Sequence, residues 1–212
     1  MKDLFDGFMI KNDKEEKDLG VYMSEDLTYS KQISECIKKA NKLLAMIKST
    51  FTYLDKDIFL KTYKVYVRPV LEYCQEVWSP HLIKDINALE KVQERATKLV
   101  PGLASMSYED RLKSLNLYSL KERRERGDLI TMYKIYNGMI DINFNELFEK
   151  QRTVTCTRSH GHKLMFKRTN GDTRRYSYTQ RVIAPWNKLP SFVIESKSVD
   201  EFKRSYSEAY NM

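Results

Sequence analysis

The chain has 212 residues, 31% of them charged and 42% hydrophobic, and a formal net charge of +8, a composition too apolar for a disordered polypeptide. Its three cysteines, Cys36, Cys74 and Cys156, are odd in number and far apart, which argues against a disulfide framework and for a reducing compartment. No apolar run approaches the length of a membrane span, and the first residues, MKDLFDGFMIKNDKEEKD, are acidic and interrupted, unlike a secretory leader. An intracellular protein of nucleus or cytoplasm, without a membrane partner, is expected.

Glycine and proline are few, seven and five, so a mainly α fold is predicted. The segments LFDGFMI and KDLGVYM, separated by the charged stretch KNDKEE, read as a β-hairpin that opens the chain. After Ser30, a candidate N-cap, Ile33, Ile37, Ala40, Leu44, Ile47 and Phe51 repeat at helical spacing, with Lys31, Lys38, Lys39, Lys42 and Lys48 largely off that stripe. Asp55 is placed to cap a second helix through Phe59, Tyr63 and Val67, which Pro69 should break or kink. A third stripe, Ile86, Leu89, Val92, Ala96 and Leu99, stops at Pro101-Gly102.

Ser107 with Asp110 and Ser119 with Glu122 have the spacing of helix-opening capping boxes. The helix after Ser119 carries the charge run KERRERGD and stops at Gly138; such a run usually faces solvent. Beyond residue 150 the pattern changes. TVTCT, LMFK and RYSYT are short and β-like, Asn170-Gly171 is a turn signal, and a final helix opens at Ser198 with Glu201. The expected order is therefore an N-terminal β-hairpin, a helical bundle, and a small basic β-containing C-terminal unit ending in a helix.

Charge is concentrated in that last part. Residues 151–181 hold eight Lys or Arg (Arg152, Arg158, Lys163, Lys167, Arg168, Arg174, Arg175, Arg181) against the single acid Asp172. A local positive field of this kind suits a phosphate backbone, and Phe166, Tyr176, Tyr178 and Trp186 nearby add rings on which bases stack, although Trp186 reads first as core.

Signatures of chemistry are sparse. There is no close carboxylate pair of the kind that holds polymerase or nuclease metals, and no phosphate-binding glycine loop or nucleophile elbow. Cys156, His160 and His162 in CTRSHGH bring three metal-ligand types together without a fourth. They read as turn-orienting or phosphate-touching residues rather than a zinc site. No catalytic residue, metal or cofactor is predicted for these 212 residues.

The strings KDLGVYMSEDLTYSKQI, KANKLLAMIKSTFTYLDKDIF, VRPVLEYCQEVWSPH, LEKVQERATKLVPGL, SYEDRLKSLNLYSLKERRERGDLITMYKIYNG, RSHGHKL and TQRVIAPWNKLPSFVIESKSVDEFKR resemble, in collinear order, the C-terminal region of reverse transcriptases from non-LTR (LINE-like, jockey-related) retrotransposons. The resemblance implies a primer-grip-like hairpin at 1–28, a helical thumb-like domain at 29–150 and a basic C-terminal unit at 151–212. It implies that Leu19, Gly20 and Val21 correspond to the primer-grip strand, and that Lys38, Lys39, Lys42 and Lys48 lie on the first thumb helix beside the template-primer duplex. Arg123, Arg124 and Arg126 match one further basic block; Arg158, His160, Arg175 and Arg181 match another, with Lys163 and Arg174 in the same charged stretch. The palm with its catalytic aspartates precedes this region in the family, so the sequence implies a catalytically incomplete part of an RNA-directed DNA polymerase. Its expected partners are RNA or an RNA/DNA duplex held by backbone contacts, and a polymerase palm in trans. The alternative is a helical protein-protein interaction module reused from a retroelement.

Overall fold

The structure, a computed structural model, describes residues 14–151 and 161–210 together with two short N-terminal strands, β1 (Leu4–Phe5) and β2 (Phe8–Met9). It is mainly α-helical, with an antiparallel hairpin near its N-terminus and a helix at its C-terminal end. The hairpin differs from the expected one in where it turns. β1 pairs with β2, and a separate ladder joins β3 (Glu15–Asp18) to β4 (Val21–Ser24). The KNDKEE stretch is therefore not the loop between them. The loop is Leu19-Gly20, with both residues at positive φ, 45° and 86°, the backbone twist that a two-residue hairpin turn requires. β3 is charged and exposed on every residue, as an unprotected sheet edge tolerates. β4 is fastened to the first long helix, whose Gln32 Oε1 accepts the Tyr22 N–H at 2.9 Å.

That helix, α1 (Ser30–Thr50), buries Ile33, Cys36, Ala40, Leu44 and Ile47. Ser30 does not cap it. Tyr29, in the left-handed region at φ 57°, occupies the cap position, while the Ser30 hydroxyl bonds Asp85 Oδ2 at 3.2 Å. Asp55 does cap α2 (Lys56–Thr62), accepting from the Ile58 N–H at 2.8 Å. The chain then passes through a π-helical turn, Tyr63–Val67, into α3 (Arg68–Glu72). Here Arg68 N–H reaches the Tyr63 carbonyl. The extra residue in the turn accommodates Pro69, which has no N–H and whose ring would crowd the carbonyl four residues back. The proline is absorbed without ending the rod.

α4 (Gln75–Trp78), α5 (Ile83–Thr97) and α6 (Tyr108–Leu115) complete a first core around Phe59, Tyr63, Leu71, Trp78, Leu89 and Leu115. Ser107 accepts from the Asp110 N–H, and Ser119 with Glu122 forms a full capping box on α7 (Leu120–Tyr136). α7 contributes Leu120 to the first core and Leu129, Met132, Tyr133 and Ile135 to a second.

The second core gathers α8 (Phe144–Leu147), α10 (Tyr178–Arg181), α11 (Ile183–Lys188), α12 (Ser191–Ile194) and α13 (Val199–Tyr210) around Trp186, Val193 and Phe202, while the exposed α9 (Asp172–Arg175) stays outside it. Trp186 is fully buried, as expected of a core residue, and donates Nε1–H to the His162 carbonyl at 3.0 Å. Ser198 accepts from the Glu201 N–H at 3.1 Å and opens α13. RYSYT is not a strand. Its residues fall in α9, α10 and the link between them, where the Ser177 hydroxyl bonds the Arg174 carbonyl at 2.8 Å. Among the described residues of this part, the β structure is the single bridge Lys150↔Leu164. TVTCT lies outside the described residues.

Candidate nucleic-acid interface

α1 turns its apolar stripe inward and leaves Lys31, Lys38, Lys39, Lys42 and Lys48 exposed. Steps of seven and four residues place Lys31, Lys38 and Lys42 along one outward ridge. Lys39 and Lys48 stand on opposite flanks of it. The acid within that ridge is Glu35, which takes a hydrogen bond from Lys38 at 2.8 Å. That bond and the charges of Lys38, Lys31 and Lys42 hold the Glu35 carboxyl below its ordinary range. The ridge is therefore a shared positive field with one internal counter-charge.

The hairpin borders this ridge. Lys17 and Lys31 stand 5.0 and 6.0 Å from the centroid of the Tyr22 ring, and Lys31 is 3.6 Å from Glu15. Of the primer-grip-like residues, Leu19 projects at the turn tip with 82% of its surface exposed, Gly20 makes the turn, and Val21 is buried. The Leu19 carbonyl accepts from Tyr73 Oη at 2.9 Å. Beneath the turn lies a cleft of about 220 Å³ lined by Lys17, Gly20, Tyr22, Gln32, Lys39 and Tyr73, among others.

The arginines of the charge run behave differently. Arg123 forms a two-pronged pair with Glu72 through Nε to Oε1 and Nη2 to Oε2. Arg124 is 4% exposed, and its two terminal nitrogens have no hydrogen-bond partner among the described atoms. Burial lowers its pKa, against the pull of Glu90, Glu72 and Asp128. Arg126 donates to the Lys203 carbonyl at 3.3 Å, and its pKa is also lowered, first by burial. Arg181 pairs with Asp128 at 2.8 Å and donates to the carbonyls of Gln75 and Glu76 at 3.2 and 2.9 Å. For Arg123, Arg124 and Arg181 the expected solvated, phosphate-facing role gives way to internal pairing or burial. A guanidinium already committed to carboxylates and carbonyls has little left to offer a phosphate.

In the C-terminal stretch Arg174 and Arg175 are exposed, the latter 3.3 Å from Asp172, and Lys163 is half-buried. Arg158, His160 and Cys156 lie outside the described residues. His162 Nδ1 shares a hydrogen bond with Tyr136 Oη at 2.8 Å, and its Nε2 is 3.7 Å from Glu195. Among the described residues no group of three or more His, Cys, Asp or Glu is arranged to hold a metal ion, and no helix is long and apolar enough to cross a membrane.

Sequence reasoning missed Tyr73, whose hydroxyl seats the hairpin turn, because its partner Leu19 lies 54 residues away. It also missed Arg111, an arginine 2% exposed that bonds Thr97 Oγ1 at 2.9 Å and the Met106 carbonyl at 2.5 Å. No known protein-family profile matches the chain, and no solved structure matches it. A curated Caenorhabditis elegans protein, "Uncharacterized protein B0403.1", is 28% identical over 124 residues, which cover 57% of this chain and 63% of that protein. The chain thus matches that relative over somewhat less than two thirds of its length.

Proposed function

We propose that this chain is the thumb and distal region of a non-LTR retrotransposon-type reverse transcriptase, a part that holds template and primer while the chemistry is done elsewhere. The carrying observation is the α1 ridge, on which Lys31, Lys38 and Lys42 are exposed in line with Lys39 and Lys48 beside them. Point charges on flexible stems grip a backbone by shape and charge without reading bases. The hairpin docked against α1 and Tyr73 supports the reading, since it sets an exposed turn beside the same ridge. Arg174 and Arg175 offer a further exposed cationic pair, whereas Arg123 and Arg181 are paired within the fold and Arg124 is buried. The protein acts inside the cell on RNA or an RNA/DNA duplex in this reading, and it has no catalytic centre of its own. A thumb of this kind recognises the A-form. It should bind an RNA/DNA hybrid more tightly than double-stranded DNA of the same sequence, and two hybrids of unrelated sequence equally. Equal binding of hybrid and B-form DNA, or a strong preference between the two hybrids, would count against it.

One observation favours a second reading, a protein-interaction module. Tyr66, Pro69 and Tyr73 are exposed at helical spacing and adjoin Leu19 at the hairpin tip, an apolar ridge of the kind that docks on a partner. A polymerase palm supplied in trans is the partner this reading names. Complex formation with such a palm that fails on Tyr66→Ser with Tyr73→Ser, without any RNA affinity, would favour it.

A further inference from the structure

A cavity of about 430 Å³ opens where the segment before α1, the loop after α4 and the turn between α9 and α10 meet. Its wall includes Leu27, Tyr29, Val77, His81, Tyr176 and Tyr178. His81 and Tyr176 are stacked, with ring centroids 4.2 Å apart and planes 5° from parallel. They come from segments far apart in the sequence and stack face to face, each ring covering one face of the other. Two wall residues, Leu27 and Tyr29, stand in the left-handed region at φ 52° and 57°. That conformation is unfavourable for bulky side chains and concentrates at functional sites. Arg174 and Arg175 are exposed next to the wall residues Thr173 and Tyr176, and Arg174 makes no ion pair among the described residues.

We infer that this cavity takes one unpaired base of single-stranded nucleic acid, stacked on the Tyr176 ring, which His81 backs from its other face, with Arg174 and Arg175 on its phosphates. The volume is that of a small-molecule site. Planar rings with cations at the rim are what single-strand binding uses, and every base offers a π face, so no base preference follows. The inference rests on the nucleic-acid reading above and adds to it a second, single-strand site apart from the α1 ridge. The rim charge selects this occupant over an apolar protein segment, which would place no phosphate beside the arginines.

The test uses the whole protein and a single-stranded RNA carrying 2-aminopurine, whose fluorescence falls when it stacks on an aromatic ring. The native protein should quench the probe. Tyr176→Ala should weaken single-strand binding about five- to a hundredfold, the range expected for losing one stacked base, and abolish the quenching. Tyr176→Phe should behave as the native protein, and both variants should keep native affinity for an RNA/DNA hybrid. Hybrid binding with no response of the single strand to Tyr176→Ala would overturn the cavity assignment alone. Absence of binding to either probe would overturn it together with the thumb reading. Self-association that disappears in Tyr176→Ala, seen by sedimentation and without quenching, would assign the cavity to a second copy of the chain and overturn it as well. Circular dichroism melting of each variant separates these results from a failure to fold.

Discussion

Arg181 and Asp128, 53 residues apart in sequence, are joined by two hydrogen bonds, 2.8 Å from Nε to Oδ2 and 3.0 Å from Nη2 to Oδ1. The same guanidinium reaches the carbonyls of Gln75 and Glu76, so one side chain of α10 ties together α7 and α4. Removing one member of such a buried pair leaves the other unpaired, at a cost of about 3–5 kcal/mol. Arg181→Met should therefore lower unfolding stability by about that much in urea, and Asp128→Leu combined with it should recover part of the loss.

The pair also predicts a pH dependence. Burial raises the Asp128 pKa; the Arg181 bonds pull it back without returning it to its ordinary value. A carboxyl whose folded pKa is raised contributes stability at low pH that is lost as pH rises through that folded value. Without Arg181 the folded value should rise further. Arg181→Met should thus fall furthest behind the native protein above the folded Asp128 pKa, and the gap should narrow in acid as the carboxyl takes a proton. Denaturation midpoints compared across pH check this, and Asp128→Asn in the Arg181→Met background should remove the pH dependence of the gap.

Arg124 makes an opposite prediction from its neighbours. Its terminal nitrogens are buried without hydrogen-bond partners among the described residues, a position whose desolvation costs more than it returns. Arg124→Met, which keeps the volume of the stem, should leave stability unchanged or raise it by about 1 kcal/mol. It should not alter nucleic-acid affinity. Thermal melts and a hybrid-binding titration on the same preparation measure both.

Much of the fold is legible in the sequence wherever a local signal decides it. Asp55, Ser107, Ser119 with Glu122, and Ser198 with Glu201 all cap helices as their spacing predicts, because a cap needs only residues three or four apart. The apolar stripe of α1 faces inward for the same reason. The hairpin turn falls away from its expected place because Leu19-Gly20 is a poor turn signal and KNDKEE a conspicuous one. RYSYT alternates with period two over too few residues to tell a strand from two short helical turns.

The candidate site divides along a similar line. The α1 lysines stand outside, as an amphipathic helix requires. The RRER run reads as a solvated face, yet Arg124 and Asp128 lie four and eight residues after Leu120, on the stripe that continues to Met132 and Ile135. Following that stripe through the charges places them inside. Nothing local could show that Arg181 commits its guanidinium to Asp128, since that depends on how α10 docks.

Cys36 supplies a probe of the first core. It is buried on α1, and burial pushes its thiol pKa up to about 11, so almost none of it is thiolate at neutral pH. In a Cys156→Ser background, iodoacetamide should modify the half-buried Cys74 first and Cys36 only as fast as the core opens. The Cys36 rate should rise steeply near the urea midpoint. Rapid labelling of native Cys36 would contradict the packing of α1.

The central claim, that α1 grips a polynucleotide backbone, is tested most directly by the salt dependence of hybrid binding. Fluorescence anisotropy with an RNA/DNA hybrid, titrated across roughly 50 to 200 mM salt, should give a steep decline in affinity for the native protein. Lys38→Gln with Lys42→Gln should reduce the slope of log affinity against log salt by about one for each phosphate that is no longer neutralised, without changing thermal stability. A native slope near zero, or a double variant indistinguishable from the native protein, would contradict the account.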